Sequence, residues 1–179
     1  MPIDLAFRRR AVRTLTDRTG CYVLCDLDEV PIYVGQSTDG IRSRVNRHLT
    51  SARSDIIANR QIDVWEIDLI ETTLYHEFHP RSPLMNGKTP KAPERAIPLP
   101  EPFQRVQVMA DPEIQEKRDP SLRLPRQAEH YSQIVAHFLA VKQSKEIAGA
   151  MEAHFQRLKT YHRRLLGLAV AEDGPDGDG

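Results

Sequence analysis

Residues 20 to 35 run Gly20-Cys21-Tyr22-Val23-Leu24-Cys25-Asp26-Leu27, then Asp28-Glu29-Val30-Pro31, then Ile32-Tyr33-Val34-Gly35. The run from Cys21 to Leu27 is rich in strand formers, residues 28 to 31 carry turn chemistry, and Ile32 to Val34 is a second short strand. A β-hairpin is therefore predicted, opened by the break at Thr19-Gly20. Upstream, residues 3 to 17 read as a short amphipathic helix with an arginine cluster. Downstream, Ile41, Val45, His48 and Leu49 share one face of a helix running to about Ser51. A third strand is predicted from Ile62 to Leu69, where Trp65, Ile67 and Leu69 alternate with charges, and a helix from Ile70 to Phe78, ended by Pro80. The expected class is α+β: an N-terminal helix (1–18), then a domain (19–90) built on a small three-stranded antiparallel sheet flanked by helices.

The rest of the chain has a different texture. Ten of its thirteen prolines fall between Pro80 and Pro125, so residues 91–125 read as a linker or irregular wrapping segment. Periodicity returns over 126–170. Tyr131, Ile134, Val135, Phe138 and Leu139 form one apolar stripe; Ile147, Met151, Phe155, Leu158, Tyr161, Leu165 and Leu168 form another, together a helical hairpin. The acidic tail 171–179 is expected to be disordered.

Formal net charge is zero, but it is unevenly spread. Residues 1–61 hold ten Arg and no Lys against seven acids, whereas residues 62–125 hold eight basic and eleven acidic side chains. Arginine-only usage suits bidentate phosphate contacts, although an arginine face is commonly just solvated. No run of apolar residues is long enough to span a bilayer. The N-terminus lacks the pattern of a secretory signal, so no membrane partner and a cytoplasmic location are expected. Cys21 and Cys25 would stand about 13 Å apart on a strand. That exceeds disulfide reach, and no second ligand pair suggests zinc, so both read as small core side chains.

The polar residues of the first domain recur at fixed steps: Gly20-Cys21-Tyr22 opens strand one and Tyr33-Val34-Gly35 closes strand two. Arg44 and His48 lie four apart on one helix face. Glu71 begins the next helix, and Asn86 lies beyond Pro80 and Pro83. His76 and His79 flank Glu77 without a third ligand and are read as structural. In this order the residues resemble the GIY-YIG nuclease family, over about residues 19–88. The two signatures stand as Gly20-Cys21-Tyr22 and Tyr33-Val34-Gly35. The segment YVGQSTDGIRSRVNRHL is similar to that family's turn and first helix, and IETTLYHEFHPRSPLMN to its closing stretch. Cysteine replaces the usual central aliphatic of the first signature, and the spacing from Pro80 to Asn86 is longer than in many relatives.

The resemblance implies a metal-dependent endonuclease that hydrolyses DNA phosphodiesters with one Mg²⁺ or Mn²⁺ held by Glu71. It implies Tyr22 as general base, Tyr33 as orienter of Tyr22 or the water, and Arg44 as the charged fork on the phosphate. His48 would hold phosphate or relay a proton, with Gly35 and Asn86 as structural neighbours of the site. Arg42 and Arg47 are further candidates for DNA contact, as are Arg157, Lys159, Arg163 and Arg164 on the last helix. The C-terminal hairpin is a candidate dimer interface, since cutting both strands benefits from two sites. The alternative is a catalytically silent DNA-binding or protein-interaction module on the same fold.

Overall fold

A computed structural model describes residues 4–49, 60–67, 70–80, 84, 86, 89–95, 98–140 and 143–168. The expected helix end at Ser51, the strand end at Leu69 and the tail 171–179 lie outside them. The elements run α1 (Leu5–Arg13), β1 (Gly20–Cys25), β2 (Pro31–Ser37), α2 (Ile41–Leu49), β3 (Gln61–Trp65), α3 (Glu71–Phe78), β4 (Gln104–Gln107), α4 (Asp111–Arg118), α5 (Pro120–Ala140) and α6 (Lys145–Leu165). The class is α+β as the sequence suggests. The sheet has four strands, antiparallel throughout in the order β2-β1-β3-β4, one more than expected.

The fourth strand comes from within the proline-rich stretch. β4 pairs with β3 as Ile62↔Val106 and Val64↔Gln104. Its sequence, Gln-Arg-Val-Gln, holds a single aliphatic, which is enough at a sheet edge where one face carries the burial. Residues 91–125 are therefore not only a wrapping linker: they supply β4, α4 and the start of α5. The wrapping part is anchored where Trp65 Nε1 donates to the Pro100 carbonyl at 2.8 Å. The last long helix begins at Pro120, before the expected Arg126. Proline is favoured at a first helical position, and Asp119 caps the start by accepting Ser121 N–H at 2.8 Å.

The central strand β1 is buried from end to end, and its alternation sorts two cores. Tyr22, Leu24, Ile62 and Val64 face α1 and α2, packing on Val12, Leu15, Ile41, Val45 and Leu49. Cys21, Val23, Cys25 and Trp65 face α3, packing on Ile70, Leu74 and Tyr75. Both cysteines are free and buried, as core side chains should be. Gly20 is required where β1 starts: its φ of +149° and a would-be Cβ 2.2 Å from the Trp65 carbonyl oxygen exclude other residues. Among the described residues no helix is long and apolar enough to cross a membrane.

The C-terminal hairpin docks through polar groups, and here the apolar stripes mislead. α6 buries Ala153, His154 and Arg157, while Phe155 and Leu165 remain exposed. Of the α5 stripe, Tyr131, Ile134, Val135 and Phe138 are only half-buried, and Leu139 is 67% exposed. The hairpin is held to the β1–β2 turn by charge. Arg157 donates to the Pro31 carbonyl at 3.1 Å, Tyr161 Oη donates to Asp26 at 3.2 Å, and Arg123 and Arg164 meet Asp28 at 2.9 and 2.8 Å. Arg157 and Arg164, offered above as phosphate contacts, are thus engaged within the chain.

His154, between the two helices of the hairpin, gives their packing a pH signature. It is buried between Gln127, which it meets at 3.2 Å, and the edge-on ring of His130. Burial, with added repulsion from His130 and Arg157, pushes its pKa down to about 3. Below pH 6.5 the unfolded imidazole takes a proton that the folded one refuses until about pH 3, so stability that is fully present above pH 6.5 falls as pH drops through that window. The slope approaches roughly 1.4 kcal/mol per pH unit. Urea unfolding at pH 6.5 and 5 should show a smaller loss for His154→Gln than for wild type; equal losses would show that His154 takes no part.

Candidate active site

Strand register builds the site. Tyr22 on β1 stands opposite Gly35 on β2, and Leu24 stands opposite Tyr33, so Tyr22, Tyr33 and Gly35 share the face turned toward α2. Gly35 leaves the room that Tyr22 fills. A Cβ on Gly35 would lie 2.5 Å from Tyr22 Cζ and Oη and 2.9 Å from Tyr33 Cε1. The ring centroids of Tyr22 and Tyr33 are 6.3 Å apart. From α2, His48 completes the group: its Nε2 is 2.8 Å from Tyr22 Oη, and its ring centroid is 5.2 Å from that of Tyr33. One helical turn earlier, the Arg44 guanidinium lies against both phenols. Its Nε is buried and has no hydrogen-bond partner among the described residues.

Glu71 arrives from the opposite side of the sheet, at the first position of α3, where a carboxylate is favoured by the helix dipole. Its charge is felt at Tyr22 and Tyr33, and Arg44 is felt in turn at Glu71. Asn86 pins the exposed edge of β2. Its Oδ1 accepts Val34 N–H at 3.0 Å and its Nδ2 donates to the Val34 carbonyl at 2.7 Å, doing for one residue what a further strand would do. The structure thus brings Tyr22, Tyr33, Arg44 and His48 into contact, with Gly35 and Asn86 shaping β2 around them, while Glu71 reaches the group through its charge.

Arg42 and Arg47 stand apart from that group. Arg42 Nε donates to the Leu15 carbonyl at 2.9 Å, tying α2 to the segment after α1. Arg47 is exposed and pairs with Asp39 at 3.2 Å. His76 bonds the Pro90 carbonyl at 2.9 Å, while His79 stacks on Tyr75 and accepts Leu84 N–H at 3.2 Å; both hold the chain after α3. The sequence places Asp26 at the end of the first strand and Asp28 in the turn, and nothing local marks the network they form, because their arginine partners lie ninety or more residues away.

Electrostatics define what the group can do. Tyr22 is fully buried, and burial pushes its phenol well above the ordinary 10, with Tyr33 adding to the shift and Arg44 opposing it. Tyr33 moves up for the same reason. His48 moves down, through burial and then through Arg44 and Arg47, so it is a neutral imidazole at pH 7. A neutral imidazole bonded to a phenol is a proton acceptor ready for a phenolic proton. Burial also raises Glu71 above 4.5, against the pull of Arg44.

Among the described residues no three His, Cys, Asp or Glu side chains are grouped to cage a metal. A single half-buried carboxylate still fits Mg²⁺ or Mn²⁺ in the mode where waters and phosphate oxygens supply the other ligands. A cation there would also offset the desolvation that burdens Glu71. Compared with known proteins, the chain matches no family model, no curated protein and no solved structure.

Proposed function

We propose that the chain is a GIY-YIG-type endonuclease that hydrolyses DNA phosphodiester bonds at the Tyr22–Tyr33–Arg44–His48–Glu71 group. The observation that carries this reading is the 2.8 Å contact between the buried Tyr22 phenol and the neutral His48, beside a guanidinium with an unpartnered buried N–H. Phosphoryl chemistry asks for such a pair: a route for the water's proton and fixed positive charge where negative charge develops.

In this mechanism Arg44 binds the non-bridging oxygens, and its free Nε–H is satisfied by phosphate. Burial raises the Tyr22 phenol well above 10 and so disfavours a free phenolate. Tyr22 therefore accepts the water's proton only as its own proton passes to His48. Because Tyr22 has no exposed surface, Tyr33 or His48 at the half-exposed rim must shift when substrate enters, a rotamer change of ordinary size. Glu71 would hold the divalent ion, which when bound supplies positive charge to the phosphate and the departing oxygen.

The test is incubation of the purified protein with supercoiled plasmid and Mg²⁺ or Mn²⁺. Nicked or linear product that EDTA abolishes is the expected result. No cleavage of plasmid, branched or single-stranded DNA would remove the nuclease reading. Salt-dependent duplex binding in that case would favour the silent binding module.

The exposed stripe on α5 and α6 supports a second element of the proposal, a dimer through the hairpin. Leu139, Phe155 and Leu165 are large apolar side chains left uncovered on two long helices. Two hairpins joined by a twofold axis would make a four-helix bundle and pair two active sites. Light scattering should give about twice the monomer's 20.4 kDa, falling to the monomer in Leu139→Glu/Phe155→Glu. A monomeric wild type at tens of micromolar would end the dimer idea.

A further inference from the structure

At the corner between α4, α5 and the end of α6 lies a pocket of about 160 Å³, lined by Arg118, Pro120, Arg123, Leu124, Tyr161, Arg164 and Leu165. Three of its walls are guanidinium groups, and among the described residues no acid lines it. One carboxylate, Asp28, meets all three: Arg123 at 2.9 Å, Arg164 at 2.8 Å and Arg118 at 3.7 Å. Asp26 pairs with Arg157 and Tyr161 and Glu29 with Arg60, while Asp119, which accepts from Ser121, keeps its charge beside Arg118. Among the described residues the three guanidiniums share the single carboxylate of Asp28.

The spare donors are partly open to solvent. Arg118 spends Nε and Nη2 on the Leu27 carbonyl, and Arg164 spends Nη1 on Asp28. The side chains of Arg118 and Arg164 are 36% and 51% exposed, whereas Arg123 is 10% exposed and fixed over the Tyr161 ring at 3.5 Å. Two adjustable forks thus flank one immobile one, and guanidinium forks match phosphate oxygens bidentately. Leu124, Leu165, Pro120 and the Tyr161 ring supply apolar wall beside them. A volume near 160 Å³ is smaller than the range for drug-sized ligands, so the occupant is small.

We propose that this pocket binds the phosphate group of a small phosphate monoester with an apolar or aromatic body, at a site separate from the Tyr22 group. It does not depend on the nuclease reading, because none of its residues belongs to that group.

The test is calorimetric titration of inorganic phosphate and phenyl phosphate into the full chain carrying Arg44→Ala, which removes the guanidinium of the candidate active site. Phenyl phosphate is expected to bind at least fivefold more tightly than phosphate, and phenol not at all. Adding Arg164→Gln should weaken phenyl phosphate at least tenfold with an unchanged circular dichroism spectrum. Adding Asp28→Asn should strengthen it several-fold, because a carboxylate that competes for the three guanidiniums is removed, whereas a purely structural clasp gives no such gain. No binding of either phosphate, or binding indifferent to Arg164, would overturn the proposal. A duplex oligonucleotide whose affinity falls with Arg164→Gln while phenyl phosphate fails to bind would also overturn it, assigning these arginines to nucleic-acid backbone instead.

Discussion

Tyr22→Phe should cleave plasmid DNA about a hundredfold to ten-thousandfold more slowly than wild type, the range that removal of a positioned acid–base group produces. The substitution deletes one oxygen. The ring still fills the space above Gly35, and His48, being half-exposed, can replace its lost partner with water. Stability should therefore fall by only about 1–2 kcal/mol, the range for one buried hydrogen bond. Duplex affinity should hold within a factor of a few, because Tyr22 offers no exposed surface to DNA. This separation of turnover from binding and folding is what a proton-transfer role demands. Undiminished cleavage by Tyr22→Phe would remove the phenol from the mechanism.

Gly35→Ala should damage both fold and site. The added methyl would sit 2.5 Å from Tyr22 Cζ and Oη, far inside van der Waals contact, and Tyr22 has nowhere to retreat. Ile62, Val64 and the apolar face of α2 close the core around it, and its hydroxyl is held by His48. Overpacking of this kind destabilises by about 1–3 kcal/mol. The relief open to the chain is to move Tyr22 or Tyr33, which breaks the 2.8 Å contact to His48. Cleavage should drop by at least about tenfold even in the fraction that folds, given how steeply rate depends on placement. Urea midpoints with cleavage of the folded variant check both parts. Normal stability would mean that β2 yields more readily than its two-sided restraint by β1 and Asn86 suggests.

Much of this arrangement is legible in the residues because it is local. The run of strand formers from Cys21 to Leu27 marks the first strand, and Glu29, at φ 63°, accommodates the tight turn that the Asp-Glu-Val-Pro composition suggests. The four-residue spacing of Arg44 and His48 puts them on one helix face regardless of tertiary contacts. Gly35 carries a further message that spacing alone does not: it is the space for a tyrosine on the neighbouring strand.

The rest of the arrangement is non-local. β4 has one aliphatic in four residues, and its identity as a strand comes from the partner β3 rather than from its own propensity. Prolines at 120 and 125 suggest a break, yet Asp119 and the N1 position turn the first into a helix start. On α6 the apolar period points at one face while the chain buries Arg157 against the turn residues Asp26 and Pro31 and His154 against Gln127 and His130 of α5. Periodicity reports burial only when burial is apolar. Arg42 shows the same limit at smaller scale: its charge suggested phosphate, and its actual acceptor is the Leu15 carbonyl.

The most direct measurement is a side-by-side cleavage assay of wild type and Glu71→Ala on supercoiled plasmid, with Mg²⁺ or Mn²⁺ and an EDTA control, beside duplex affinity for both proteins. The account predicts metal-dependent nicking by wild type, loss of at least about a hundredfold in Glu71→Ala, and duplex affinities within a few-fold of each other. Cleavage that survives Glu71→Ala, or that persists in EDTA, would contradict it and place the activity elsewhere in the chain.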